Sequence, residues 1–357
     1  MKKLLISFLF SMLATTQVMA LEETSSQPTI LAESAAIQKL MSAVGSYDAH
    51  DKNFKITVPR DDLNITINGI KIASAMGLTS WITFKKLDDF NTSMHANLVL
   101  TEDQINTVMQ TAIDNHLNVT ELHNHLMWES PKVMFMHVEG TGNTNVLAMS
   151  MAKVMDKVKE TSNGQGDFPL GEVDATTTTF DQTKIERILG ARGELKDGVY
   201  RIVVDRHARN AAPDVNPFMP RTNTKAIFAG SSETAVVDGN LAMQQANLQK
   251  VLTALHKAGI SIVAIHERHI NDKTTYVFLH YWGIGRPTDL ARGIRTALDI
   301  SQLPDELPAV TANRLLRSAL RATYFYVPTH KITVLSNYCN SNFCSSSQKL
   351  FMRQNLS

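Results

Sequence analysis

Residues 119–142 read VTELHNHLMWESPKVMFMHVEGTG, and residues 262–285 read IVAIHERHINDKTTYVFLHYWGIG. A constant offset of 143 lays His123 on His266, Phe135 on Phe278 and His137 on His280, and lays Gly140 and Gly142 on Gly283 and Gly285. The correspondence runs backward through NLVLTEDQINTVMQTAIDNHLN (97–118) against NLAMQQANLQKVLTALHKAGIS (240–261), and forward to Asp156 against Asp299. With a drift of a few residues it reaches IQKLMSAVG against IERILGARG, and FKITVPR against YRIVVDR, which puts Arg60 on Arg206. A repeat of this length is a whole domain, because a solenoid unit is several times shorter. Whatever the histidines do is therefore built twice, or built once and lost once.

The 357 residues suffice for two domains of ordinary size, and 43% apolar with 19% charged residues is a globular composition. The formal net charge of +1 offers no field for a polyanion, so a nucleic-acid partner is not expected. Lys2 and Lys3 precede the apolar run Leu4–Leu13, and Val18-Met19-Ala20 ends in small residues. Residues 1–20 thus read as a cleavable signal peptide. The run is too short to span a membrane, no transmembrane span is expected elsewhere, and no cysteine follows the cleavage point to carry a lipid. The expected location is the periplasm or the exterior.

Residues 21–35 read as a polar, disordered segment and residues 36–159 as the first repeat. The Gly/Ser/Thr-rich stretch 160–179 reads as a linker, residues 180–300 as the second repeat, and residues 301–357 as a basic tail. Cys339 and Cys344, both in the tail, suit either a small disulfide loop or two free thiols.

Within the first repeat the periodicity predicts strands near Phe54–Val58, Asn64–Ile67, Ser80–Phe84 and Ala96–Leu100. A helix over Glu102–His116, capped by Thr101, precedes strands Val119–Met127 and Val133–Glu139, and a second helix follows over Asn145–Val158. The fold class is α+β: two tandem homologous domains, each with a mainly antiparallel sheet around a split βαβ, ferredoxin-like core. Alternation puts Glu121, His123 and His125 on one strand face and Phe135, His137 and Glu139 on one face of the next. A five-residue loop Trp128–Lys132 would set His123 opposite His137 and His125 opposite Phe135, while the Leu/Met/Val face lies under the helices.

Three converging imidazoles at His123, His125 and His137 suit a divalent cation such as zinc, with one coordination position open. Glu121, Glu129 or Glu139 would serve as an accessory carboxylate. In the second repeat Arg268 replaces His125, so His266, Arg268 and His280 make a poorer cation site and a better anion or small-ligand site. Three activities fit: a metal- or ligand-binding protein, a metal-dependent hydrolase of a cell-envelope component with a glutamate as base, and an envelope scaffold whose histidines are structural. No phosphate loop, Gly-x-Ser-x-Gly or Cys–His nucleophile is visible.

Leu122-His123-Asn124-His125, Glu129-Ser130-Pro131 and Met134-Phe135-Met136-His137, with VPRDDLNITINGIKI, SWITF and LVLTEDQIN, resemble the LppY/LpqO family. The resemblance covers about residues 36–300 and implies an exported bacterial protein made of two copies of a domain of unknown function. Family members commonly carry His-Asn-His in both copies and a lipid anchor. This chain has His266-Glu267-Arg268 in the second copy and lacks the anchoring cysteine.

Overall fold

The computed structural model describes residues 29–162, 164–168, 171–204, 224–271 and 274–301, with residues 268–271 and 274–275 described in their backbone alone. The proposed signal peptide, Arg206, most of the tail and both cysteines lie outside the described residues.

The first repeat runs α1 (Ser34–Met41), β1 (Gly45–Asp48), β2 (Asn53–Pro59), β3 (Thr66–Ile67), β4 (Ile70–Lys71), β5 (Thr79–Lys86), β6 (Thr92–Thr101), α2 (Ile105–Asp114), β7 (Asn118–His123), β8 (Glu129–Ser130), β9 (Val133–Gly142) and α3 (Thr144–Glu160). The second runs α4 (Gln182–Leu189), β10 (Gly193–Lys196), β11 (Val199–Val204), β12 (Thr224–Gly230), β13 (Ala235–Gln244), α5 (Leu248–Lys257), β14 (Ile260–Asn271), β15 (Thr274–Gly285) and α6 (Pro287–Ser301). The expected helices begin where capping chemistry allows. Thr101 and Gln104 form a capping box ahead of α2, and the Asn143 side chain accepts from Asn145 and Val146 at the start of α3.

The expected disorder of residues 21–35 is corrected at its end. Residues Ile30–Glu33 form a 3₁₀ turn leading into α1, and Ile30 is fully buried in the core, which removes that apolar side chain from water. The stretch 160–179 is also tied down where it is described. Asp167 N–H donates to the Asp103 carbonyl, and Thr179 N–H to that of Gly230.

β6 and β7 flank β9 and are joined through α2, which is a split βαβ unit; β13, α5, β14 and β15 repeat it. The two repeats do not close separate sheets. One twelve-stranded sheet runs β1-β2-β5-β6-β9-β7-β14-β15-β13-β12-β11-β10, antiparallel throughout its ladders. The halves join where Leu122 of β7 pairs with Ile265 of β14. These two residues are equivalent under the 143-residue offset, so an approximate two-fold axis passes between them, as in an isologous dimer interface. Both are fully buried.

The helices confirm that axis. Asn106 of α2 accepts a hydrogen bond from Ile262 N–H (3.1 Å), while its counterpart Gln249 of α5 accepts one from Val119 N–H (3.0 Å) and donates to the Val119 carbonyl (2.7 Å). Each helix thus holds the central strand of the other repeat. Gln249→Ala should strip both partners from the Val119 peptide and destabilise the protein by about 1–3 kcal/mol, read as a lowered urea midpoint.

The six α-helices among the described residues cover one face, packing Leu122, Met134, Met136, Val138, Ile265, Leu279 and Tyr281 into one core. The repeats trade volume within it. Ala96 pairs with Val138 in the first, whereas Gly239 pairs with Tyr281 in the second, and a Cβ at Gly239 would lie 2.3 Å from the Tyr281 hydroxyl. The opposite face carries the histidines.

Candidate metal centre

A bulge sets the histidine face. Pairing of β7 with β9 shifts between Val119 and Glu121, leaving Thr120 as the extra residue. Val119 and Leu122 therefore both reach the helix-covered core although they lie three positions apart, which regular alternation would put on opposite faces, and Glu121 and His123 turn to the open face. The same shift occurs between Ile262 and Ala264 in β14, at the equivalent place.

The expected cross-strand register is corrected. His137 faces Glu121, and His123 faces Phe135. β7 ends at His123, so His125 lies on the following segment. That segment is no five-residue turn, because it contains β8, which leaves the main sheet to pair with β3 in a three-stranded sheet β4-β3-β8. The small sheet sits over a satellite core of Ile65, Ile72, Leu78, Val99, Val133 and Phe135, with Leu126 against it. The two-residue slip leaves Glu121, His123, Phe135 and His137 on their expected face, since strand alternation has a period of two.

Glu121, His123 and His137 consequently form one cluster, their ligand atoms all within 4.8 Å of one another and all three half-buried. Nδ1 of His123 lies 3.6 Å from Glu121 Oε2. The other nitrogen, Nε2, lies 2.8 Å from His125 Nε2. Such a separation requires one N–H and one lone pair, so this imidazole pair shares a single proton and each ring is held as a defined tautomer. The His125 ring is also stacked on Phe135, with centroids 3.7 Å apart.

Of the anticipated carboxylates, Glu121 is in the cluster. Glu139 lies two residues beyond His137 and makes a 3.2 Å contact to His95, and Glu129 pairs with Ile67 in the small sheet, so neither joins the group.

Burial is the largest influence on His123, and it lowers the imidazole pKa. The neighbouring His137 lowers it further, with Glu121 opposing. His125 is lowered by burial and by His123. Both rings are therefore neutral, and able to ligate, to a lower pH than an ordinary imidazole with a pKa of about 6.5. Since the unfolded chain takes up these protons first, the contribution to stability is complete above the ordinary imidazole value and declines as the pH falls through the lowered folded values. NMR titration of the metal-free protein should give midpoints for His123 and His125 below that of exposed His50, whose neighbour Asp51 raises it.

In the second repeat His266 faces Phe278 and Ala264 faces His280, the same register as in the first. The His266 and His280 rings stack at 5.8 Å, and both residues are exposed. Ala264 stands where Glu121 stands, so this copy lacks the carboxylate as well as the third histidine. The Arg268 backbone continues β14 opposite Tyr276. Sequence reasoning missed both Ala264 and Asn97. Asn97 faces His137 from β6, and its counterpart Asn240 faces His280 from β13. The signal for Asn97 was the first column of the longer repeat alignment, where an asparagine lies over an asparagine.

The family model described as DUF1529, Domain of Unknown Function (DUF1259), matches residues 35–157 and again residues 183–300. Together these are more than half of the chain. The chain belongs to the DUF1259 family. Its two DUF1259 copies coincide with the halves related by the axis at Leu122 and Ile265. No curated protein and no solved structure matches the chain. No helix among the described residues of this DUF1259 protein is long and apolar enough to cross a membrane.

Proposed function

We propose that this chain is an exported bacterial protein that binds a divalent cation, zinc being the best match, at Glu121, His123 and His137 of its first repeat. The observation that carries the reading is the convergence of three ligand atoms within 4.8 Å from two adjacent strands. Ligands on a tetrahedral zinc ion stand roughly 3.3 Å apart, so a small inward turn of the side chains completes the set. Two nitrogens and one carboxylate oxygen with a fourth position open is an established zinc donor set, and burial of His123, which favours its neutral form, suits the deprotonated ligand that the ion needs. His125 acts through His123: accepting the Nε2–H leaves the Nδ1 lone pair turned toward Glu121.

The alternative of an envelope hydrolase needs a further carboxylate as base. Glu139 contacts His95 and Glu129 is held in the small sheet, so binding is favoured over hydrolysis. Export rests on the character of residues 1–20 and on the LppY/LpqO resemblance, and the ligand or partner would then belong to the cell envelope. Metal analysis and zinc titration of the untagged full-length protein test the reading. One ion per chain supports it, whereas no metal and no thermal shift with zinc, copper or nickel leaves a duplicated scaffold.

A further inference from the structure

Asn97 is nine-tenths buried, and no donor among the described residues reaches its Oδ1. It faces His137 directly across the β6–β9 ladder, on the face that bears the metal cluster. Side chains directly opposite in an antiparallel pair have Cβ atoms about 4.5–5.5 Å apart, so a carboxamide oxygen reaches a neighbouring imidazole by a change of side-chain torsion alone. A buried acceptor without a donor is costly and uncommon, and such a group points to a partner acquired in another state of the site. Histidines that ligate a metal almost always donate their second ring N–H to an acceptor, most often an oxygen, and the Nε2 of His123 already has a partner in His125 Nε2 at 2.8 Å. The Asn–His pair is also built twice, as Asn97 with His137 and Asn240 with His280, while Glu121 and His125 occur once.

From these observations we infer that Asn97 is the positioning residue for His137. When the cation binds, the ring N–H of His137 turned away from the ion donates to Asn97 Oδ1, which fixes the tautomer and aims the other nitrogen at the ion. This rests on the metal reading above and adds to it a residue that never touches the ion. The shared Asn–His pair is then a part common to both repeats, and the carboxylate is what makes one of them a cation site.

The test compares zinc binding by the full-length protein with that of Asn97→Leu and Asn97→Asp. Asn97→Leu, which keeps the number of side-chain heavy atoms and the branched shape and removes the acceptor, should lose zinc affinity by about 10- to 100-fold while the metal-free protein unfolds at no lower denaturant concentration. Asn97→Asp keeps an acceptor and should retain affinity within a few-fold of wild type. In the wild-type protein zinc should bring out a slowly exchanging His137 ring N–H proton, absent without metal. Wild-type binding of zinc with unchanged affinity in Asn97→Leu, or without that proton signal, overturns the role of Asn97 and leaves the metal site standing. Absence of zinc binding by the wild-type protein overturns both. Should Asn97→Leu fail to fold, the wild-type proton signal and the Asn97→Asp affinity still decide the matter.

Discussion

His137→Ala should weaken zinc binding roughly 100-fold, and His280→Ala should leave it unchanged. The two residues occupy equivalent strand positions, face equivalent asparagines and stand beside equivalent histidines. The strand positions of the two histidines alone give no reason to expect different behaviour. What separates them is the residue opposite on the neighbouring strand, Glu121 for His137 and Ala264 for His280. Binding of zinc by four protein ligands in small domains is worth about 10–16 kcal/mol near neutral pH, so one ligand accounts for about 3 kcal/mol, or two orders of magnitude in affinity. His137 is the cross-strand member of the cluster, opposite Glu121 on the half-buried sheet face, while the neighbouring His125 imidazole is already engaged with His123, so removing His137 breaks the ligand set. Isothermal titration of both variants against wild type reads the difference. Equal losses in the two variants would mean that the ion is held across the two-fold axis, and no loss in either would remove the histidines from any metal site.

The antiparallel α+β class, the tandem repeat and the face on which the histidines lie were legible because each depends on a periodicity that survives small errors. A two-residue slip in register moved His123 from opposite His137 to opposite Phe135, yet both stayed on the open face. The slip itself was not legible, because local turn chemistry does not set the β7–β9 register. β8 and β3 pair in a separate sheet, so the chain between the two strands is longer than the five residues WESPK implies. The bulge at Thr120 left a trace, Val119 and Leu122 being apolar three apart within a strand, as are Ile262 and Ile265. The fusion of the halves into one sheet was hidden. It rests on a junction at which Leu122 pairs with Ile265 and on helix side chains, Asn106 and Gln249, that hydrogen-bond across it. A polar helix residue does not announce such a partner 130 or more positions away. His125 was misplaced on the strand because alternation was extended past His123, where the backbone leaves the ladder.

Ala264→Glu combined with Arg268→His should convert the second repeat into a cation site and raise the zinc stoichiometry of the full-length protein from one to two. The strand pairing makes this a small change. Ala264 already faces His280 as Glu121 faces His137, His266 already faces Phe278 as His123 faces Phe135, and the β-bulge that directs Glu121 outward is present at the same offset in β14. Ala264 is half-buried on the open face, so a longer side chain there enters no packed core. Removing the arginine takes away a fixed positive charge that competes with a cation, and the added carboxylate supplies the negative charge that the first site has and the second lacks. The carboxylate matters more, because in the first repeat it lies 3.6 Å from the histidine nitrogen on its own strand. Ala264→Glu alone should therefore create a weaker second site, and Arg268→His alone should create none. Across the axis, the antiparallel pairing of Leu122 with Ile265 also sets Glu121 opposite His266, so the two sites would be neighbours on one face. Two cations held that close repel one another, and the second zinc should bind more weakly than the first, by an amount that shrinks at high salt if solvent ions reach between them. A double variant that still binds one ion, with a register unchanged by hydrogen–deuterium exchange, would show that a glutamate and two histidines on adjacent strands are insufficient, and that the first site owes its ion to something the second repeat lacks besides Glu121 and His125.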